Sequence, residues 1–304
     1  MSGVAAVACR APAKVNLHLE VLRRREDGYH EIETVLQAVD LCDELRVTLR
    51  ERRDDGRLQA ELDVDPFGAA PEDDSNLCAR AAAAFGAATG AGGRLRIDLR
   101  KRIPAGAGLG GGSSDAAAVL VACDRLFGTG LAPAALVELA AGIGMDVPFF
   151  LRGGTQLGRG RGELLTPLTA IRRGRFLLAV PPFSLATADV YRQLNLGLTT
   201  RSPKASISYV ESLIARFPGR SWFGYNRLEE VVLPAHSEIQ RLLAAWRRDV
   251  PIAMLSGSGA AVFAVHTGGR SRERLARAVP EGWRLVDAEP HPAGVVVTEV
   301  ADHA

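Results

Sequence analysis

Pro104-Ala105-Gly106-Ala107-Gly108-Leu109-Gly110-Gly111-Gly112-Ser113-Ser114-Asp115 is the stretch on which the reading of this chain turns. Residues 116–122 follow it as an alanine-rich, helix-like run. Glycine gives access to φ > 0 and lets backbone N–H groups approach a ligand with no Cβ between. A helix opening directly after such a loop offers unpaired N–H donors and the positive end of its dipole to an anion. The stretch therefore reads as a phosphate cradle. Gly106, Gly108 and Gly111 also satisfy G-x-G-x-x-G, but a dinucleotide fold wants an acidic residue ending a second strand about 20 residues on. Here residues 128–133 read as a loop entering a helix. A Walker loop lacks its closing Gly-Lys-Ser/Thr. Tight helix packing alone leaves the cap-forming types Ser113-Ser114-Asp115 unexplained.

At 304 residues the chain is long for one core, and two domains are expected. Its 47% apolar and 24% charged residues are those of an ordinary globular protein. A net charge of +2 is too small to point to nucleic acid. No apolar run approaches the roughly 20 residues of a membrane span, and residues 4–9 are too short, with no basic run before them, for a secretion signal. Cys9, Cys42, Cys78 and Cys123 form no C-x-x-C pair and the six histidines no i,i+4 pair, so neither zinc nor a disulfide scaffold is indicated. A soluble cytoplasmic protein is expected, a monomer or weak homodimer without nucleic-acid or membrane partners. Of 37 basic residues only Lys14, Lys101 and Lys204 are lysines. A lysine kept among so many arginines marks either a place needing a compact ammonium or a leftover on a solvated face.

Polar–apolar alternation predicts strands over residues 4–7 and 15–22, separated from an ambiguous apolar segment, 32–41, by a charged turn. Residues 45–50 and 58–62 read as a meander joined by Asp54-Asp55-Gly56. A helix is expected over 76–88, a strand over 95–99 feeding the glycine loop, and a helix over 133–141. Beyond these come a strand at 176–181, loop-like residues 196–206, and helices at 206–217 and 237–247. Segments 252–255 and 260–265 then flank Gly257-Ser258-Gly259, before a helix at 271–279 and a strand at 294–300. Strands and helices mix without a regular βαβ repeat, so the fold class is α+β rather than doubly wound. The domain boundary falls near 158–162, giving domains 1–160 and 161–304.

Two further motifs flank the glycine loop: Pro12-Ala13-Lys14-Val15-Asn16-Leu17 and Leu255-Ser256-Gly257-Ser258-Gly259-Ala260. The order of the three resembles the GHMP kinase superfamily of small-molecule kinases. Ala13-Lys14-Val15-Asn16-Leu17, Arg25-Glu26-Asp27-Gly28-Tyr29-His30-Glu31 and Gly144-Met145-Asp146-Val147-Pro148-Phe149-Phe150 resemble one branch of it. Members of that branch use ATP to phosphorylate the 2-hydroxyl of 4-diphosphocytidyl-2-C-methyl-D-erythritol, in the non-mevalonate route to isoprenoid precursors. The likeness runs over nearly the whole chain. It implies a two-domain fold, with an N-terminal ribosomal-protein-S5-domain-2-like domain and a C-terminal ferredoxin-like α+β domain. It also implies ATP and Mg2+ as cofactors and that alcohol as the small-molecule partner.

The resemblance assigns catalysis to Lys14 and Asp146. Phosphoryl transfer needs an in-line hydroxyl, a bound γ-phosphate and charge neutralisation. A carboxylate held ahead of Val147-Pro148 can accept the hydroxyl proton, and Lys14 would keep it ionised. Without the resemblance, Asp146 reads more simply as a turn cap and Lys14 as the partner of a surface acid. By the same likeness Pro104, Ala105, Gly106, Ala107, Gly108, Leu109, Gly110, Gly111, Gly112, Ser113 and Ser114 wrap the triphosphate. Asn16, Tyr29, His30, Thr187 and Tyr191 match substrate contacts, with Tyr29 and Tyr191 on opposite faces of the pyrimidine and His30 at its edge. The family usually places Pro after that Thr, whereas this chain has Ala188-Asp189. Ser256, Gly257, Ser258 and Gly259 match the third motif, or form an ordinary hairpin turn. No ligand of Mg2+ is assigned: a serine hydroxyl and Asp115 are both open, Asp115 also as a helix-start charge. Arg23-Arg24-Arg25 reads as a solvated turn or a diphosphate contact, Arg159 and Arg161 as linker residues, and Trp222, Trp246 and Trp283 as packing.

Overall fold

The computed structural model describes residues 4–66, 69–194, 207–219 and 224–302. Strands β1 (Val4–Arg24) and β2 (His30–Arg53) pair antiparallel over almost their whole length. Sequence alternation divides each into shorter pieces because it breaks at register shifts. Those in the β1–β2 ladder fall between Pro12 and Ala13, Asn16 and His18, and Val21 and Arg23. A bulge bends a strand and re-aims its side chains without ending it. Two of these shifts bracket Lys14 and Asn16.

Strand β3 (Leu58–Asp65), helix α1 (Leu77–Thr89) and strand β4 (Gly92–Arg100) make a crossover, with β3 and β4 parallel. Parallel neighbours need such a helical connection. Asn76 caps α1, its side chain accepting the Cys78 N–H at 2.9 Å. The meander expected of residues 45–50 and 58–62 is not formed, because β4 lies between β2 and β3. Two features favour this arrangement. Gly93, at φ +136°, lies so close to β2 that a Cβ would sit 2.0 Å from the Glu51 carbonyl oxygen. The apolar residues also align in buried rows: Leu45, Leu99 and Val64, then Val47, Ile97 and Leu62.

The first sheet runs β11-β1-β2-β4-β3, where β11 is Val296–Asp302; β5 (Thr155–Gly160) pairs with β2, and β6 (Leu164–Pro167) with β5. Helices α2 (Gly111–Phe127), α3 (Pro133–Ile143) and α4 (Val147–Arg152) follow β4. Ala116, Ala117 and Ala118 are fully buried in α2 and join Val47, Ile97 and Phe85 in one apolar cluster. Small side chains allow that close approach to the sheet. The helix starts at Gly111, after a left-handed Gly110, and has no side-chain cap. Ser113-Ser114-Asp115 therefore lie inside the helix instead of capping it.

The second sheet comprises β7 (Arg175–Val180), β8 (Ala253–Leu255), β9 (Val262–His266) and β10 (Arg284–Ala288), ordered β10-β7-β9-β8 and antiparallel throughout. Helices α5 (Thr187–Gln193), α6 (Ile207–Ile214), α7 (Glu229–Ala235) and α8 (Ser237–Asp249) separate β7 from β8, and α9 (Gly269–Arg277) separates β9 from β10. This is the ferredoxin-like strand plan. Trp246 of α8 is fully buried, its indole N–H donating to the Leu275 carbonyl at 2.8 Å.

Sheet membership does not divide at residue 160. Both β6 and β11 lie beyond that point yet belong to the first sheet, β11 pairing with β1 from Val4 to Arg10. The loop expected over 196–206, Lys204 within it, and Trp222 lie outside the described residues. Among the described residues no helix is long and apolar enough to cross a membrane.

Candidate active site

The glycine loop, residues 104–110, joins β4 to α2 and is stitched on two sides. The Lys14 N–H donates to the Leu109 carbonyl at 2.9 Å. On the other side, the Ala261 N–H donates to the Ala107 carbonyl at 3.1 Å and Ser256 Oγ to the Gly108 carbonyl at 3.0 Å. Gly108, at φ +76°, approaches so closely that a Cβ would sit 2.1 Å from the Ser256 carbonyl oxygen. Only glycine satisfies both the angle and the contact.

A cavity of about 1260 Å³ opens against this loop. Its wall includes Lys14, Asn16, Tyr29, His30, Asp146, Thr187, Tyr191, Gly257 and Ser258, with all of residues 104–113 except Leu109. Among the site residues read from sequence, Leu109, Ser114, Ser256 and Gly259 stand outside this wall. Leu109 packs into the apolar core, and Ser114 and Ser256 are fully buried.

Lys14 reaches the cavity from the middle of β1. Its Nζ lies 3.7 Å from Asp146 Oδ2 and donates to Asn16 Oδ1 at 2.7 Å. Asn16 in turn donates to Thr34 Oγ1 at 2.8 Å, and that hydroxyl donates to the His18 carbonyl at 2.7 Å. The lysine is thus oriented by two side chains in series, anchored on a main-chain carbonyl. Gly257 closes over it, since a Cβ there would lie 3.2 Å from Lys14 Nζ. Asp146 stands just before α4, whose first turn contains Pro148, and no side-chain cap bond engages its carboxylate. The Asp146 side chain is 39% exposed against 5% for Lys14, so the carboxylate faces the open space and the ammonium its floor. Burial lowers the Lys14 pKa from its ordinary value, with the attraction of Asp146 opposing the shift.

At the far end of the cavity Tyr29 is 52% exposed, and the Arg161 guanidinium lies over its ring, 5.1 Å from the centroid. Arg161 belongs to the β5–β6 turn and lines the cavity, while Arg159 within β5 pairs with Glu33 at 2.9 Å. Neither is an interdomain linker. The His30 and Tyr191 rings pack at 5.1 Å and 33°. Burial, then the charge of Arg24, lowers the His30 pKa and favours the neutral ring. Burial, aided by the charge of Asp146, raises the Tyr191 phenol, keeping it protonated. Thr187 Oγ1 and Ser258 Oγ share a hydrogen bond of 2.8 Å, which ties α5 to the third motif. Of the Arg23-Arg24-Arg25 run, Arg24 lines the cavity, whereas Arg25 pairs with Asp27 and Glu31 at 3.1 and 2.8 Å.

Sequence reading gives Asn226 no role and leaves that of Lys101 open. Asn226 Nδ2 donates to the Leu255 and Gly257 carbonyls at 2.9 and 2.7 Å, and its Oδ1 accepts the Leu228 N–H at 3.0 Å. It holds the third motif in shape, yet nothing in its sequence neighbourhood signals that. Lys101 is buried between Asp43, at 2.5 Å, and Asp115, at 2.7 Å. Its rarity as a lysine was the available signal. Asp115 is therefore neither a simple helix-start charge nor a free ligand. Among the described residues no three of His, Cys, Asp and Glu gather as a metal site.

Residues 76–154 match the family described as GHMP kinases N terminal domain. The 4-diphosphocytidyl-2-C-methyl-D-erythritol kinase of Ralstonia nicotianae is 40% identical over 278 residues, 90% of each chain. That of Salinispora tropica is 39% identical over 277 residues, 89% of this chain and 86% of the relative. A crystal structure of 4-(cytidine 5'-diphospho)-2C-methyl-D-erythritol kinase superposes with TM-score 0.73 at 33% identity, covering 93% of this chain and 100% of that one. Homoserine kinase from Cytophaga hutchinsonii superposes with TM-score 0.72 at 18% identity, a likeness of fold alone. With such identity sustained from end to end, the chain belongs to the 4-diphosphocytidyl-2-C-methyl-D-erythritol kinase family of GHMP kinases.

Proposed function

We propose that this chain transfers the γ-phosphoryl group of ATP to the 2-hydroxyl of 4-diphosphocytidyl-2-C-methyl-D-erythritol, with Lys14 and Asp146 as its catalytic residues. The observation that carries the reading is the approach of Lys14 Nζ to within 3.7 Å of Asp146 Oδ2, in the same cavity as the glycine loop. The acceptor hydroxyl sits against this pair. Asp146 takes its proton as the oxygen attacks the γ-phosphorus in line, and the bond to the β-phosphate breaks to release ADP. The Lys14 ammonium offsets the charge that develops on the reacting oxygens.

The remaining parts are allotted by position. Backbone N–H groups of the loop and the open start of α2 face the triphosphate. The aromatic end, with Tyr29, His30 and Tyr191, takes the cytidine. Asn16 orients Lys14, and Ser258 with Thr187 closes the wall beside it. Mg2+ would neutralise phosphate oxygens when bound. The described carboxylates form no cage for it, and Asp43 and Asp115 are engaged by Lys101. A soluble cytoplasmic enzyme, monomeric or weakly dimeric, belongs to the same reading.

A coupled assay of ADP release tests it, with the cytidylyl alcohol, homoserine and mevalonate offered in parallel. Turnover is expected with the first alone. Asp146→Asn should lower kcat by about 10²–10⁴-fold, the usual worth of a general base, while ADP still binds. Equal turnover of the three alcohols, or an Asn variant near parental rate, would remove the assignment.

A further inference from the structure

Both ends of the glycine loop rest on one buried cluster of charge. Asp43, in β2, accepts the Arg102 and Ile103 N–H groups at 2.5 and 2.8 Å through one carboxylate oxygen. Its other oxygen accepts the Lys101 ammonium at 2.5 Å, and the same ammonium reaches Asp115 near the start of α2 at 2.7 Å. The exit of β4 and the opening of α2 are therefore both tied to β2, with residues 104–110 slung between them. All three side chains are buried. Lys101 and Asp115 nevertheless touch the cavity wall beside Gly111, where a Cβ would lie 3.2 Å from Lys101 Nζ.

Two carboxylates facing one ammonium leave a formal surplus of negative charge. It lies against Gly111, where α2 opens beside the glycine loop. A buried surplus of this kind is costly in itself and repels a second anion. Protonation of Asp115 removes it. Burial is the main influence on that carboxyl and, with the neighbouring Asp43, outweighs the pull of Lys101, so its pKa is pushed up to about 8. Burial disfavours the Lys101 ammonium too, but Asp115 and Asp43 together hold its pKa above the ordinary value. The Cys78 thiol of α1 also faces the cluster, raised by burial and so neutral. Asp115 Oδ1 has no hydrogen-bond partner among the described residues.

We infer that Asp43, Lys101 and Asp115 are positioning residues for the nucleotide loop: the cluster sets the spacing of the loop's two ends, and the charge carried by Asp115 governs how tightly a polyphosphate is held above them. The inference rests on the reading of residues 104–113 as the nucleotide site.

Calorimetric titration with ADP alone, without the alcohol, separates it from catalysis. For the parental enzyme the Kd is expected to rise by up to about ten-fold between pH 7 and pH 9, as the form competent to bind is depleted. Asp115→Asn should abolish that rise. Lys101→Met, which leaves the buried Asp43 carboxylate without its counter-ion, should weaken ADP roughly ten-fold or more at pH 7. Should Lys101→Met fail to fold, Asp115→Asn keeps the side-chain shape and decides alone. Equal parental affinity at pH 7 and 9, or an unchanged rise in Asp115→Asn, overturns the inference. Absence of ADP binding to the parental enzyme at every pH removes the nucleotide reading itself, and the inference with it.

Discussion

Lys14 is asked to be charged in a place that disfavours charge. Burial lowers its pKa from 10.5, and Asp146 recovers only part of the loss. The sign follows: with the folded pKa below 10.5, the ammonium is lost before that pH is reached, and activity depending on it falls as pH rises. The logarithm of kcat/KM for the alcohol, measured at saturating ATP, is therefore expected to bend downward below pH 10.5. Lys14→Arg should slow turnover but carry no such bend, since guanidinium stays charged. A parental profile flat to pH 10.5 would strip the lysine of its role. At this scale legibility followed motif strength. Lys14 and Asp146 are singled out by the family resemblance of their segments, since the residues alone leave a surface ion pair and a turn cap open. Lys101 was half legible, by rarity alone. Asn226 was illegible, because its partners are main-chain carbonyls about thirty positions away and leave no side-chain pattern.

Elements were legible where their period was uninterrupted. The helices now seen as α1, α8 and α9 were foreseen within a few residues, as was the strand feeding the glycine loop. The strands β1 and β2 were read in pieces because each register shift resets the alternation. The meander was misplaced because pairing partners depend on long-range register, which period alone does not encode. The contact between elements that most invites a test is the clamp from Asn226, preceding α7, to the turn between β8 and β9. Asn226→Ala leaves two carbonyls and one N–H without these partners. Each such buried group costs about 1–3 kcal/mol. Denaturant unfolding should show a loss within that range or above it, and kcat should drop with the slackened third motif. Unchanged stability would mean that water replaces the amide.

The whole molecule is less divisible than its two sheets suggest. The final strand β11 returns to flank β1, and the Asp40 and His291 N–H groups donate to the Glu289 and Ala38 carbonyls at 3.1 and 2.8 Å. A fragment of residues 1–160 therefore lacks β6 and β11 and exposes an edge of β1. It is expected to show no cooperative thermal transition, whereas the full chain does. A sharp calorimetric transition in the fragment would restore the boundary at residue 160. That boundary was set from linker-like glycines, a local signal, while β11 closes the sheet from the other end of the chain.

The cavity is made of two different materials. Around the glycine loop it is largely main chain; around Tyr29, His30, Tyr191 and Arg161 it is side chain. Main-chain atoms are the same whatever residue carries them. An inhibitor gripping the loop's amides would offer selection few substitutions that discharge the drug and spare ATP. One lodged among the aromatic rings would meet resistance by single-codon changes at its rim.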